Sequence, residues 1–211
     1  MHPNPAFRQE PRDRNLAFAR HRGFGTLCVN GEAAPLLSHV PFHLDDAGTE
    51  AEMHLVRSNP IARAVTGPTP AVIAVTGPDG YISPDWYGDP AQVPTWNYVA
   101  VHLRGVLHPC DPAEMRPHLD RVSAQFEGRL LPKRPWTTDK MPGDTLDRMM
   151  RQILPFRLEV QEIAGTWKLN QNKTDTAREA AAGMVRHSPI GQELDTLSAM
   201  MAGGVPDMDG K

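Results

Sequence analysis

Proline interrupts this chain 21 times in 211 residues, and that frequency argues against a bundle of long helices. A proline lacks the amide hydrogen needed inside a helix or a central strand. Each one therefore marks a first helical turn, a sheet edge or a turn. The punctuation predicts short strands joined by turns.

Between the prolines, the local patterns supply the strands. Residues 13–20 read as a short helix with Asp13 as its cap, ended by Gly23-Phe24-Gly25. Thr26-Leu27-Cys28-Val29 reads as a strand, Asn30-Gly31 as a tight turn, and Leu36–Leu44 as the returning strand with an edge or bulge at Pro41. Glu52–Val56 completes an antiparallel meander. Asn59-Pro60 is a cap followed by proline at the first helical position, predicting a short helix over 61–65. Ala71–Val75 is apolar enough for a central strand, and a turn-rich loop of some twenty residues follows before a strand at Tyr98–Leu107. Asp111-Pro112-Ala113-Glu114 opens a helix running to about Glu127, with Leu119, Val122 and Phe126 on one face. A linker at 130–143, a helix at 144–152, a strand at Phe156–Ile163 and helices at 175–186 and 189–201 complete the chain. About six antiparallel strands with peripheral and C-terminal helices predict an α+β, mainly β fold, a closed or split barrel. The expected division is one domain over 1–187, with a helical insertion at about 111–152, then a C-terminal helix and flexible tail over 188–211.

Composition narrows the function. A net charge of −3 carries no footprint for non-specific nucleic-acid binding. Two cysteines, Cys28 and Cys110, are too few for a disulfide framework, the N-terminus lacks an apolar signal region, and no apolar run could span a membrane. A cytoplasmic protein without a membrane partner is expected. The phosphate-loop, serine-hydrolase, zinc-protease and CxxC patterns are absent, and Gly23-Phe24-Gly25 precedes a strand where a dinucleotide fingerprint would follow one.

Several clusters could carry chemistry. His39 and His43 form an HxxxH, but on a strand they lie about 13 Å apart and cannot share a zinc ion. Tyr81, Trp86, Tyr87, Trp96 and Tyr98 could wall a planar ligand, with Ser83 and Asn97 at its edge, or simply pin a loop to the barrel. Lys168, Asn170, Gln171 and Asn172 form a donor-rich run that suits a phosphate or polar ring edge, or a solvated turn. Arg57, beside the helix start at Asn59, is a candidate anion site.

In order, "GTLCVNG", "SHVPFHL", "MHLVRSNP", "GPDGYISPDWY", "PTWNYVAVHLRG" and "GTWKLNQNK" resemble the PaiB-type, FMN-binding negative transcriptional regulators over about residues 5–185. The resemblance implies an FMN-binding split barrel, related to pyridoxamine-phosphate oxidases and flavin reductases. It also implies a homodimer holding FMN in a groove between subunits. The cofactor-facing positions are then His39, His54, Arg57, Asn59, Trp96, Asn97, Tyr98, Lys168, Gln171 and Asn172. Arg57 and Lys168 suit the phosphate, Trp96 and Tyr98 the isoalloxazine face, and Asn97 and Gln171 its polar edge. Cys28 departs from the aliphatic or small residue common in relatives and reads as packing. The segment beyond about residue 188 is less typical of the family.

Three functions follow. A flavin-bearing repressor comes first, although no helix-turn-helix or basic stripe is visible; Arg129, Lys133 and Arg134 are the nearest candidates for DNA contact. An FMN-dependent oxidoreductase or flavin reductase is second, with no evident general acid or base. A haem-binding split barrel, with His39, His54 or His102 as axial ligand, is third.

Overall fold

The computed structural model describes residues 1–204. In chain order its elements are α1 (Arg12–Arg22), β1 (Phe24–Val29), β2 (Leu36–Pro41), β3 (His43–Leu44), β4 (Glu50–Val56), α2 (Pro60–Ala64), β5 (Thr69–Ile82), β6 (Thr95–Pro109), α3 (Met115–Glu127), α4 (Gly143–Met150), β7 (Ile153–Lys168), α5 (Asp175–Val185), β8 (Gly191–Gln192) and α6 (Leu194–Met201). Two compact units divide them. Among the described residues, one comprises Met1–Phe18, Thr76–His102 and 164–204; the other comprises Ala19–Val75 and Leu103–Ile163.

The second unit contains most of the sheet, in the order β2-β1-β5-β6-β7-β4-β3. The β1–β2 hairpin pairs Phe24 with Pro41, Thr26 with His39 and Cys28 with Leu37. Alternation then buries Leu27 and Val29 against Val40, Ile73, Leu103 and Phe156 on the core side. Gly23 ends α1 at φ 55°, a conformation that disfavours a side chain, and the Arg129 guanidinium donates to the exposed carbonyls of Arg20 and His21. Asn59 caps α2 through Oδ1, which accepts the Ile61 amide at 2.9 Å. Asp111 starts a single 3₁₀ turn ahead of α3, accepting the Ala113 amide at 2.8 Å.

The first unit packs Phe7, Leu16 and Phe18 with Val99, Trp167, Val185 and Leu197. Here β5 must lie close to its neighbours. A Cβ at Gly77 would stand 2.6 Å from the Phe18 ring, and one at Gly80 2.8 Å from Leu197 of α6. Strand β8 pairs with β5 at Asp79 and Gly80, and Ser198 of α6 donates to the Ala182 carbonyl of α5 at 2.7 Å.

Four expectations change. The long loop after Val75 is half strand, because β5 continues to Ile82 where β8 supplies its partners and α6 covers Gly80. Tertiary pairing overrides the turn chemistry of Pro78-Asp79-Gly80. Strand β7 extends past the expected end at Ile163 through Gly165-Thr166-Trp167-Lys168, so Thr166 and Trp167 belong to a strand. The last helix begins at Leu194, after β8, instead of at Pro189. On α3 the fully buried residues are Met115, His118 and Val122, with Leu119 and Phe126 only partly covered. Residues 205–211, the end of the tail expected to be flexible, lie outside the described residues.

Candidate functional site

In the first unit Trp96 and Trp167 have different surroundings. Trp167 is fully buried. Its Nε1 donates to Asn15 Oδ1 at 2.8 Å, Phe18 meets it edge-on, and the Arg14 guanidinium sits 4.4 Å above its ring. It is a core plug. Trp96, at the start of β6, stays 46% exposed, with Tyr81 of β5 edge-on at 6.3 Å. Strand alternation puts half-buried Tyr98 on the same face of β6 as Trp96, and sends Asn97 to the opposite, fully buried side. There Asn97 Nδ2 lies 3.4 Å from Met201 Sδ, and its buried Oδ1 has no donor.

Lys168 closes β7 with its Nζ on Thr95 Oγ1, beside Trp96 in the chain, and 5.8 Å from the Phe7 ring. Partial burial, aided by the Lys173 charge, pushes its pKa down from the ordinary lysine value. The rest of the donor run is largely occupied. Asn170 adopts φ 63° and accepts the Tyr87 hydroxyl at 3.2 Å. Gln171 Oε1 accepts the Leu169 amide at 2.8 Å, while its Nε2 donates to the carbonyls of Trp167 and Ala6. Asn172 is exposed.

In the second unit, His39 is exposed on β2, its Nδ1 3.0 Å from Thr26 Oγ1 and its ring stacked with Phe24 at 6.4 Å. The register extends this face across β1, β2 and β5 through Phe24, Cys28, Leu37, Val72 and Ala74. Phe24 is 53% and Leu37 63% exposed, so the face is an uncovered apolar sheet surface. Asn59 Nδ2 donates to Ser38 Oγ at 3.0 Å, tying α2 to β2. Arg57 donates from Nε to the Arg151 carbonyl at 2.6 Å and lines a pocket of about 330 Å³ with Arg116, Arg151 and Asp147.

His54 turns toward α3, where its Nδ1 meets His118 Nε2 at 2.9 Å. Glu52 stands 3.6 Å from His118 Nδ1 and is gripped by both nitrogens of the Arg121 fork at 2.9 and 3.0 Å. Burial lowers the pKa of His54, and burial with the nearby His54 pushes that of His118 down to about 4. Sequence reasoning missed His118. The helical spacing Met115, His118, Val122 was the available signal, since it places the imidazole on the buried face.

Two of the three basic residues named for DNA contact have partners within this unit. Arg129 is spent on the end of α1 and packs over Phe126, and Lys133 pairs with Glu127 at 2.5 Å. Arg134 is exposed. No helix among the described residues is long and apolar enough to cross a membrane.

The chain is 29% identical over 161 residues to "Protease synthase and sporulation protein PAI 2" of Bacillus subtilis, covering 75% of this chain and 76% of that protein. Among solved structures, the FAD and haem binding protein from Mycobacterium smegmatis superposes with a TM-score of 0.55 at 18% identity, covering 77% of this chain and 73% of that one. A flavocytochrome from Azotobacter vinelandii gives 0.58 at 12% identity, over 79% and 72%. At such identities the likeness is one of fold, and it bears out the mainly antiparallel split barrel with peripheral helices. The family model described as "Putative FMN-binding domain" matches residues 1–162. The chain belongs to this FMN-binding family, as its ordered PaiB-type motifs led one to expect, and FMN is the cofactor that family membership assigns to it.

Proposed function

We propose that this protein is a PaiB-type negative transcriptional regulator that holds FMN at the interface of a homodimer. The observation that carries the reading is Trp96, a large indole left 46% exposed, edge-on to Tyr81, with the Lys168 ammonium on the adjacent Thr95. An exposed aromatic face beside a cation suits a flat, phosphorylated ligand. The apolar face around Phe24, Leu37 and His39 supports the dimer, because a second copy would cover it. Within the first unit, Trp96, Tyr98, Lys168 and Asn172 carry exposed or half-exposed side chains and are the ones we assign to the flavin. Asn97, Gln171 and Asn59 act through the backbone and neighbours they hold.

FMN titration into purified protein tests the assignment: quenched flavin fluorescence and a shifted visible spectrum are expected. Unchanged spectra at high micromolar protein overturn it. Direct repression is tested by gel shift with the gene's own upstream region at low salt, where absence of binding counts against it. NAD(P)H-dependent bleaching of bound flavin would move the assignment to an oxidoreductase. The flavocytochrome and the FAD-and-haem protein among the structural neighbours keep a haem reading open to one measurement, a Soret band on haem addition.

A further inference from the structure

The β1–β2 hairpin of the second unit turns through a loop that opens on Asn30-Gly31, the one asparagine–glycine step in the chain. Asn30 is exposed, and neither its side chain nor the Gly31 amide makes a hydrogen bond among the described residues. A Cβ at Gly31 would stand 2.4 Å from the Ala34 carbonyl oxygen, so the loop backbone would have to shift for any other residue. The turn therefore needs the residue that shields its own nitrogen least and leaves the backbone freest. The side-chain carbonyl carbon of Asn30 can swing back onto the Gly31 nitrogen, with neither group held by a bond. The other asparagines lack one of these conditions. Asn4 and Asn59 precede proline, which has no N–H, and Asn15, Asn97 and Asn170 are buried. After exposed Asn172, the Lys173 amide is spent on the Asn170 carbonyl at 2.9 Å. The related Asp79-Gly80 step is held in β5, opposite Gln192 and Gly191.

We propose that Asn30 is a self-modification site, where the folded chain deamidates without an enzyme. Hydroxide removes the Gly31 N–H proton, and the nitrogen forms a bond to Asn30 Cγ. The Cγ–Nδ2 bond breaks, and Nδ2 takes up a proton and leaves as ammonia. A five-membered succinimide ring then joins the two residues. Water opens it in one of two ways. Cleavage between the nitrogen and Cγ gives aspartate; cleavage between the nitrogen and the main-chain carbonyl carbon of residue 30 gives isoaspartate, whose backbone runs through the side chain. No atom is oxidised or reduced. Either product adds one negative charge to the net −3 of the chain. Isoaspartate also adds a backbone carbon directly after Val29, which pairs with Leu36 at the end of the hairpin ladder. The new charge lies at the tip of the two strands whose outer face, with Cys28 beside Leu37, is the uncovered apolar surface. The site rests on the hairpin alone, and failure of FMN binding or of dimer formation would leave it standing.

Tryptic mass mapping of the purified full chain, aged at physiological temperature in mildly alkaline buffer, tests it. The peptide from Gly23 to Arg57 contains no other asparagine and no glutamine, so a gain of about 1 Da in it reports Asn30 alone. A steadily rising fraction with that gain is expected, faster at higher pH, and labelling by an isoaspartyl methyltransferase should rise with it. Unfolding in urea should change the rate by less than about tenfold, because the native loop already leaves both groups unheld. Asn30→Gln, whose ring would need one more member, should lose both the gain and the label, and its exposed position lets the variant fold. An unchanged peptide mass over several weeks overturns the proposal, as does a gain that appears only after unfolding or one that persists in Asn30→Gln. A gain without isoaspartate, or one indifferent to pH, would mean direct hydrolysis of the side chain and overturn the succinimide route.

Discussion

His54 Nδ1 and His118 Nε2 stand 2.9 Å apart, joining β4 to α3 within one unit of the fold. Only one of the two can donate at that contact, so the bond requires at least one neutral imidazole. Glu52 and Arg121 approach His118 from β4 and α3, and burial decides the balance toward the neutral form.

Acid should therefore weaken this joint. The ordinary histidine pKa of about 6.5 applies to the unfolded chain, whereas His118 in the fold is pushed down to about 4. Between these values the unfolded chain binds more protons, so stability is full above about pH 6.5 and falls as pH drops toward 4. Melting temperature followed by circular dichroism should decline through that window. His118→Gln, which can still bond His54, should flatten the decline; an unchanged slope would remove His118 as its source.

Asn15→Ala should destabilise the first unit. The Trp167 indole N–H would lose its acceptor at 2.8 Å in a fully buried site, at a cost of about 1–3 kcal/mol. Urea denaturation followed by tryptophan emission measures it, and a shift well under 1 kcal/mol (~0.3) would mean that water replaces the amide.

Gly105→Ala should be among the most damaging single-methyl additions. A Cβ there would run into the Glu159 carbonyl of the neighbouring β7, and backbone in a sheet cannot yield as a side-chain tip can. A loss of about 1–3 kcal/mol or more is expected, read as a lower urea midpoint or as insoluble expression. Wild-type stability in this variant would contradict the close approach.

Two adjacent residues should separate binding from folding. Trp96→Ala, at an exposed position, should weaken FMN about tenfold while leaving the melting temperature nearly unchanged. Asn97→Ala should do the reverse, since that amide is buried on Met201. Fluorescence titration beside thermal melts would settle the pair, and equal FMN loss in both would remove Trp96 as a specific contact.

Arg129→Ala should lower stability through loss of two bonds to the end of α1, and leave any DNA affinity intact. Charge reversal at exposed Arg134 should instead weaken DNA binding without a stability cost. Gel shifts and melts on both variants distinguish these outcomes.

The amino-acid sequence determined the local elements and their kinship by itself. Asn59-Pro60 capped a helix, Asn30-Gly31 turned a hairpin, and six motifs in order named an FMN-binding family, because these signals act within a few residues or are carried by residue identity. Long-range pairing was beyond its reach. Pro78-Asp79-Gly80 reads as a turn, yet Gly80 pairs with Gly191, more than a hundred residues later, and so remains in a strand. Thr95-Trp96 and Thr166-Trp167 look alike in the sequence, and only the tertiary structure could separate them. Asn15 and Arg14 bury Trp167 in the core, whereas the alternation of β6 leaves Trp96 facing solvent. Side-chain direction is set by register and by which distant neighbour satisfies each polar atom. For that reason Asn97 and Gln171, equal to Trp96 and Lys168 as candidates in the sequence, diverge from them: Asn97 is buried on Met201, and the exposed Gln171 spends its amide on nearby backbone.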